Sequence, residues 1–192
     1  MGAIEAAVLA AALSVAPCSH PAITSEYHVY IEAAVQRHWP AHSRPFKCMF
    51  VAQLYAESRF DPKALSPVGA RGLAQIMPAT WKEMTDRLGL SCSPWDARCS
   101  IEVGAAYMGR MLRIFSAERT ELDRMCWGQS SFNAGPGNAL RAQRIGQTEN
   151  CDEALEVWHK VTGPDHAAET RGYVRTIRKW TIRLLRGRTY PL

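Results

Sequence analysis

Long apolar runs are missing from this sequence, and their absence sets the first limits on what the chain can be. No stretch reaches the roughly 18 apolar residues of a membrane-spanning helix, so we expect none. We also find no alternating pattern typical of a strand, no internal repeat and no low-complexity tract beyond an Ala-rich start. The 192 residues are 47% hydrophobic and 21% charged, which is ordinary for a globular domain. The sequence therefore predicts a single, mainly α domain with little or no β structure.

Closely spaced cysteine pairs of the form C-x-x-C are also missing. The six cysteines are an even number without that spacing, which favours disulfides in an oxidising compartment over a zinc site. Many pairings are possible, so the pairs remain hypotheses. The spacing suggests Cys18 with Cys48, Cys92 with Cys99, and Cys126 with Cys151.

Acidic residues are absent from the C-terminal basic segment. Residues 171–188 hold seven of the 23 basic residues and none of the 18 acidic ones. The other 16 basic residues face 18 acidic residues, so the net charge of +5 is a C-terminal feature. This charge favours an anionic surface or an assembly partner, and a solvated helix face is the alternative. Nucleic-acid binding is not expected, because basic and aromatic residues do not alternate outside the final helix.

The N-terminal segment, residues 1–45, supports two interpretations. Ala3 to Ala16 is an Ala-rich apolar run ending in small residues, as in a secretory signal with its cleavage site. No basic residue precedes the run and Glu5 interrupts it, so a retained helix is the alternative. A retained helix would suit a protein delivered by another route, such as a phage particle or a secretion machine.

Helical periodicity and capping residues predict the elements of the chain. A helix over residues 22–39 ends at Trp39-Pro40. His38 and His42 flank this break and are interpreted as surface residues, so no metal site is predicted. In the helix from Ile101 to Phe115, two glycines are expected to allow close approach of a neighbouring helix. Further helices are predicted over residues 79–88, 126–134, 138–145, 152–161 and 169–185, with a loop over residues 91–100.

One stretch, Gln53 to Thr80, concentrates the candidate chemistry. Apolar residues recur at three and four positions from Phe46 and predict a helix to about Ser58. Glu57 lies three residues past Leu54, on the buried stripe. Burial and the negative end of a helix disfavour the charged form of a carboxyl and raise its pKa. A general acid needs this property.

The residues after this helix are predicted to form a polar loop. Gly69 and Gly72 allow positive φ angles or a close approach of the backbone to a ligand. Ser66 and Gln75 offer neutral hydrogen-bonding groups of the kind that sugars accept. Together these residues predict a proton donor beside a polar cleft.

Three segments, in order, resemble the signature of the soluble lytic transglycosylase family. The central segment reads E-S-R-F and then S-P-V-G-A-R-G-L-A-Q-I-M-P-A-T, residues 131–137 read S-F-N-A-G-P-G, and residues 169–174 read E-T-R-G-Y-V. The resemblance covers about residues 46–185. It implies a lysozyme-like domain over residues 46–188 that cleaves peptidoglycan glycan strands without a cofactor. Such an enzyme would face the cell wall from the periplasm or from outside the cell, or be carried in a phage virion.

The resemblance also implies how Glu57 works. Glycoside hydrolysis usually needs two carboxylates, but the central stretch otherwise offers only Asp61, which is interpreted as a turn residue before Pro62. In the family, a single glutamic acid protonates the glycosidic oxygen and then accepts a proton from the muramic C6 hydroxyl. That hydroxyl closes a 1,6-anhydro ring. A hydrolytic muramidase and a non-catalytic peptidoglycan-binding assembly component stay open as alternatives.

The other matching positions carry over as substrate contacts. They are Ser66, Gln75, Met77, Phe132, Asn133, Glu169 and Tyr173. In this interpretation Ser66 bonds Glu57 or the substrate's N-acetyl group, although Ser66 could instead cap a turn. Met77 and Tyr173 could instead belong to the core. Glu169 could instead cap the last helix. Phe132 stands where the family usually has a tyrosine, so a hydroxyl contact is lost and a weaker but active site is predicted. In the helix starting at residue 101, Tyr107 resembles another family tyrosine.

Overall fold

The computed structural model describes Cys18 and residues 23–39 and 44–186. The Ala-rich run at residues 3–16, His42 and Arg188 lie outside the described residues. Within those ranges the chain forms nine helices. They are α1 Ser25–His38, α2 Arg44–Ser58, α3 Pro78–Leu88, α4 Ala97–Ile114, α5 Glu121–Ala134, α6 Pro136–Gly146, α7 Cys151–Glu156, α8 His159–Thr162 and α9 Pro164–Leu185. None of these helices combines the length and the hydropathy needed to cross a bilayer.

Most predicted helices are present, and several begin earlier than predicted because a cap was overlooked. Asp96 accepts a hydrogen bond from the backbone N–H of Cys99, so α4 begins within the segment predicted as a loop. Thr120 caps α5 in the same way. Pro136 and Pro164 each occupy the first position of a helix, where the missing N–H costs nothing. The helix predicted over residues 152–161 is divided into α7 and α8.

Strand structure in the described ranges is limited to two isolated bridges. Arg71 pairs antiparallel with Leu65 on one side and with Ile76 on the other. Both bridges lie in the loop between α2 and α3. The prediction of a mainly α chain with little or no β structure is confirmed.

Two hydrophobic clusters form the interior, and α9 belongs to both. The main cluster joins α1, α2, α3 and α4 with the C-terminal half of α9, which contributes Ile177, Trp180 and Leu184. The second cluster joins α5, α6 and α7 around Trp127 and Trp158. The N-terminal half of α9 packs on that cluster. The middle turns of α9 therefore lie between the two clusters, opposite the end of α2.

Glycines in α4 permit the close approaches predicted for them, although the partners differ. A Cβ on Gly109 would overlap the backbone carbonyl of His38 at the end of α1. Gly104 instead faces Ala74, in the loop between α2 and α3, where a Cβ would lie only 2.6 Å from that residue's own Cβ. This glycine therefore brings the loop, and with it Phe50 of α2, against α4.

His38 corrects the interpretation of a surface histidine. Its Nε2 lies 2.7 Å from Oε1 of Glu102, and its side chain is largely buried. Arg37 contacts the same carboxylate at 2.6 Å. The pKa of Glu102 is lowered, chiefly by the hydrogen bond with His38.

All six cysteines are paired as hypothesised. The bonds are Cys18–Cys48, Cys92–Cys99 and Cys126–Cys151. The first links the N-terminal segment to α2, the second closes the turn before α4, and the third joins α5 to the start of α7. The predicted disulfides are confirmed.

Candidate active site

Glu57 lies in the last turn of α2 and is withdrawn from water, as predicted from the apolar stripe. Leu54, one turn earlier, is completely buried. Burial raises the pKa of the Glu57 carboxyl to about 7, while a hydrogen bond from Tyr173 acts in the lowering direction. Since a carboxyl with this pKa is about half protonated at neutral pH, Glu57 can donate a proton and later accept one.

Tyr173 is the hydrogen-bond partner of Glu57. Its hydroxyl donates to Glu57 Oε1 at 2.5 Å, across the packed faces of α2 and α9. Burial, followed by the nearby Glu57 charge, raises the pKa of Tyr173 well above its ordinary value, so it remains a donor. A direct contact between Tyr173 and substrate stays a prediction. Tyr173 lies one turn after Glu169 in α9, and its hydroxyl reaches the site through Glu57.

A cavity of about 470 Å³ opens beside Glu57. Glu57 and six of the seven predicted contacts line it, all except Tyr173. The six are Ser66, Gln75, Met77, Phe132, Asn133 and Glu169. Tyr107, noted from the sequence, lines it too. The sequence analysis missed Val68, Ala70, Ile76, Thr80 and Gly135. All five lie within the family segments, so membership of those segments was the available signal.

One side of the cavity is formed by residues 59–77, here called the loop wall. Its polar side chains largely hold the loop itself. The Ser66 hydroxyl accepts from the Ala70 N–H at 2.9 Å, the turn cap that the sequence left as an alternative. The Gln75 Nε2 donates to the carbonyls of Ala64 and Gly72, each at 2.9 Å. The hydroxyl proton of Ser66 and the Oε1 of Gln75 remain for a ligand.

The backbone of the loop wall is strained and tightly packed. Arg59, Phe60 and Gln75 have positive φ angles of 55°, 64° and 47°, which non-glycine residues seldom adopt. Gly72 has φ 73°, and a Cβ there would overlap the carbonyl oxygen of Pro94. The predicted positive φ is confirmed, and the chain that approaches Gly72 closely is the protein's own backbone at Pro94. Strain of this kind is often retained at functional sites.

Apolar side chains project at the rim of the loop wall. Val68 is 76% exposed and Met77 is 43% exposed, although both line the cavity. The alternative that Met77 belongs to the core is thereby excluded. Such exposed side chains offer flat contacts to the apolar faces of a sugar.

Helices also line the cavity, and their contribution, here called the helical wall, includes Glu57, Tyr107, Phe132, Asn133 and Glu169. The Oδ1 of Asn133 accepts from the hydroxyl of Thr170 at 2.9 Å, which fixes the amide and leaves its NH₂ group as the donor. The rings of Phe132 and Tyr107 pack with centroids 5.1 Å apart.

Glu169 supplies a second carboxylate to the helical wall. Because α9 begins at Pro164, with Gly163 as its cap residue, Glu169 lies in the second turn and does not cap the helix. It is exposed and lies 3.5 Å from His166. Asp61, by contrast, accepts from the Lys63 N–H and forms a turn outside the cavity, as predicted.

A helical domain with a buried, elevated-pKa glutamic acid at an open cleft has the architecture of the lysozyme-like fold. Solved structures agree. The chain superposes with a TM-score of 0.65 on an inactive mutant of lytic transglycosylase Slt from Pseudomonas aeruginosa, with 23% identity over 85% of this chain and 24% of the other. For the 70 kDa soluble lytic transglycosylase of Escherichia coli the TM-score is 0.59, with 20% identity over 97% of this chain and 34% of the other. At these identities the likeness shows the fold.

Sequence comparison identifies the family. Residues 36–154 match the Transglycosylase SLT domain, and the chain belongs to that family. Relatives include proteins named membrane-bound lytic murein transglycosylase F. The one from Desulfosudis oleivorans is 32% identical over 76% of this chain, and the one from Maricaulis maris is 30% identical over 70%. The chain spans only 31% and 30% of their lengths.

Proposed function

We propose that the chain is a peptidoglycan lytic transglycosylase that cleaves the β-1,4 bond between N-acetylmuramic acid and N-acetylglucosamine. The observation that carries the proposal is Glu57, whose pKa is raised to about 7 by burial beside a cavity of sugar-binding size. Family membership and the names of the relatives support the same reaction class.

In the proposed mechanism Glu57 acts twice. Because Tyr173 donates to Oε1, the acid proton resides on Oε2. Glu57 gives this proton to the glycosidic oxygen as the bond from C1 to that oxygen breaks, and the N-acetyl oxygen of the muramic residue stabilises the electron-poor C1. The Glu57 carboxylate then takes the proton of the C6 hydroxyl, whose oxygen bonds to C1. The acid is regenerated, a 1,6-anhydro end forms, and no water is consumed.

Substrate would be held between the two walls. The remaining hydrogen-bonding groups of Ser66, Gln75 and Asn133 complement the N-acetyl groups and hydroxyls of a glycan. Met77 and Phe132 would pack on sugar faces, and Glu169 would line the far end. Tyr173 would act on Glu57 rather than on substrate.

Hydrolysis is the alternative within the same chemistry. A hydrolytic muramidase usually positions water with a second carboxylate, and Glu169 is the second carboxylate lining the cavity among the described residues. Glu169 is exposed at the rim, whereas Glu57 is withdrawn from water, so we favour the single-acid reaction. A Glu169→Gln enzyme should still form anhydro ends.

We also propose a location facing the cell wall, in the periplasm or outside the cell, because three disulfides suit an oxidising compartment.

The partner for the basic C-terminal helix stays a prediction. Arg178 binds Asp152 with two hydrogen bonds, Arg171 donates to the Leu155 carbonyl, and Arg183 stacks on Trp180. These internal contacts leave fewer cations for an anionic surface than the sequence suggests. The division of the chain at residue 45 also stays a prediction.

Digestion of purified sacculi with mass analysis of the products tests the proposal. The wild-type protein should release muropeptides one water lighter than the reducing products of a hydrolase. Glu57→Gln should lower the rate by about 100-fold to 10,000-fold, the usual contribution of a positioned acid and base. Circular dichroism should show a retained fold. Products with reducing ends would establish hydrolysis, and substantial cleavage by Glu57→Gln would reject Glu57 as the acid.

A further inference from the structure

A buried amide behind the candidate acid is not explained by packing. Gln53 lies one helical turn before Glu57 on the same face of α2 and is only 1% exposed. Neither its Nε2 nor its Oε1 has a hydrogen-bond partner among the described residues. Leaving a buried polar group unpaired lowers the stability of the folded state. An apolar side chain of the same size would avoid this cost.

The Gln53 amide acts on the hydroxyl of Tyr173. Gln53 is near enough to lower the pKa of Tyr173, in the direction that an amide N–H donating to the phenol oxygen produces. The two groups nevertheless fall short of a well-formed hydrogen bond. Hydrogen bonds at active sites are often long or poorly aligned before substrate binds. The amide is thus placed to complete a chain that ends at Glu57.

We propose that Gln53 is a positioning residue for the acid, with its Nε2 donating to the Tyr173 hydroxyl oxygen so that the Tyr173 proton points at Glu57 Oε1. The hydroxyl has one proton, and without a donor on its oxygen it can rotate away from Glu57. With the donor in place, Oε1 stays occupied and the catalytic proton stays on Oε2. This inference rests on the proposed function of Glu57 and adds a residue that acts through Tyr173.

Few other titratable groups face Glu57. From α9 these are Tyr173 and Glu169, and from α4 it is Tyr107, while the described residues of the loop wall and of α5 that line the cavity carry none. Burial and Tyr173 are the influences that shift the Glu57 pKa. A change behind Tyr173 should therefore be visible in the titration of Glu57.

The test replaces Gln53 with methionine, which has nearly the same shape and no hydrogen-bonding amide. Carbon-13 NMR of the glutamate carboxyls, in the full chain, reports the Glu57 pKa. Weaker donation from Tyr173 should raise that pKa by about half a unit to one unit. The unfolding midpoint should stay the same or rise, because the Oε1 of Gln53 is unpaired and the contact of its Nε2 with Tyr173 falls short of a well-formed hydrogen bond. An unchanged pKa, or a lower midpoint without a pKa change, would overturn the proposal.

Two further variants test whether Gln53 acts on Glu57 through Tyr173. In a Tyr173→Phe background, Gln53→Met should cause no further shift in the pKa of Glu57, and an equal shift in both backgrounds would overturn the role assigned to Tyr173. Ser131→Ala is the matched control, because the Ser131 hydroxyl is another buried group without a partner. It should leave the titration of Glu57 unchanged. A shift as large as that of Gln53→Met would mean that loss of any buried polar group has this effect.

The titration also separates this inference from the proposed function. NMR reads the Glu57 pKa whether or not the protein cleaves glycan. If wild-type protein leaves sacculi intact, the proposed function fails, while the titration still decides the role of Gln53. If sacculi are cleaved, the alkaline limb of the pH–rate profile should move upward in Gln53→Met by the same amount as the pKa. A limb that stays in place would refute the inference alone.

Discussion

The two walls of the cavity are built by different physical means. The helical wall presents Glu57 and Asn133 from packed helices. Each of these side chains accepts a hydrogen bond from a residue of α9, which leaves the Oε2 of Glu57 and the NH₂ group of Asn133 for a ligand. The loop wall uses Ser66 and Gln75 mainly on its own backbone. The other side chains of the loop wall that line the cavity are apolar, and one of them is the exposed Val68.

We therefore expect the helical wall to govern the reactivity of the site and the loop wall to govern the shape of the cavity. On the helical wall, burial by the core sets the protonation of the acid, so a change there should alter chemistry more than stability. On the loop wall, backbone conformation and close packing set the outline of the cavity. A change there should alter stability and substrate binding together.

Two glycines of the loop wall should differ sharply when replaced by alanine. Both have positive φ, 73° at Gly72 and 91° at Gly69, so each variant carries backbone strain. Only at Gly72 would the Cβ also meet Pro94 and Ser100, whereas nothing lies within 4 Å at Gly69. We expect Gly72→Ala to cost about 4 kcal/mol and Gly69→Ala about 1 kcal/mol, measured by urea unfolding. Equal costs would contradict the packing explanation.

The acid on the helical wall should reduce stability as the pH rises. The folded pKa of Glu57, about 7, exceeds its ordinary value of 4.5, so the folded state resists ionisation. The favourable contribution is complete below pH 4.5 and is lost as the pH rises through 7. The gain in unfolding free energy from Glu57→Gln should grow by about 2 to 3 kcal/mol between acidic and mildly alkaline pH. A difference that does not change with pH would contradict the buried acid.

The link between Asn133 and α9 should matter more for binding than for stability. Thr170→Val removes the hydroxyl that holds the Asn133 amide and should raise KM several-fold at a stability cost of about 1 kcal/mol. Thr181→Val on the same helix is the control, because the buried Thr181 hydroxyl bonds only the Ile177 carbonyl. It should change stability similarly and leave KM unchanged. Equal effects on KM would mean that Asn133 needs no support.

The smallest effect is expected at Phe132. Phe132→Tyr restores the hydroxyl usual in the family at a position that lines the cavity and packs on Tyr107. Turnover should rise a few-fold, because one hydrogen bond to the substrate is worth about 1 kcal/mol. Unfolding measurements should show little change. An unchanged or lower turnover would contradict the idea that the phenylalanine weakens this site.

Much of the site could be predicted because its residues lie in short ordered segments. Apolar periodicity placed Glu57 on a buried face, and the resemblance of residues 131–137 indicated Asn133. The hydrogen bond from Tyr173 to Glu57 was not predicted. Its position depends on how deeply α9 packs against α2, and no local pattern carries that information. Gln53 gave a weak signal, as a polar residue one turn before the acid on an otherwise apolar stripe.

Local patterns in the sequence were enough for the helical class and the family, and they supplied the hypotheses for the cysteine pairs and for the candidate acid. These follow from local periodicity, from residue types in order and from spacing, all of which act along the chain. Three contacts depend on the packing of the whole chain: the hydrogen bond from Tyr173 to Glu57, the hydrogen bond from Thr170 to Asn133, and the close approach of Gly72 to Pro94. Each of these joins residues far apart in the chain, and packing of helices and loop around two cores sets their distances.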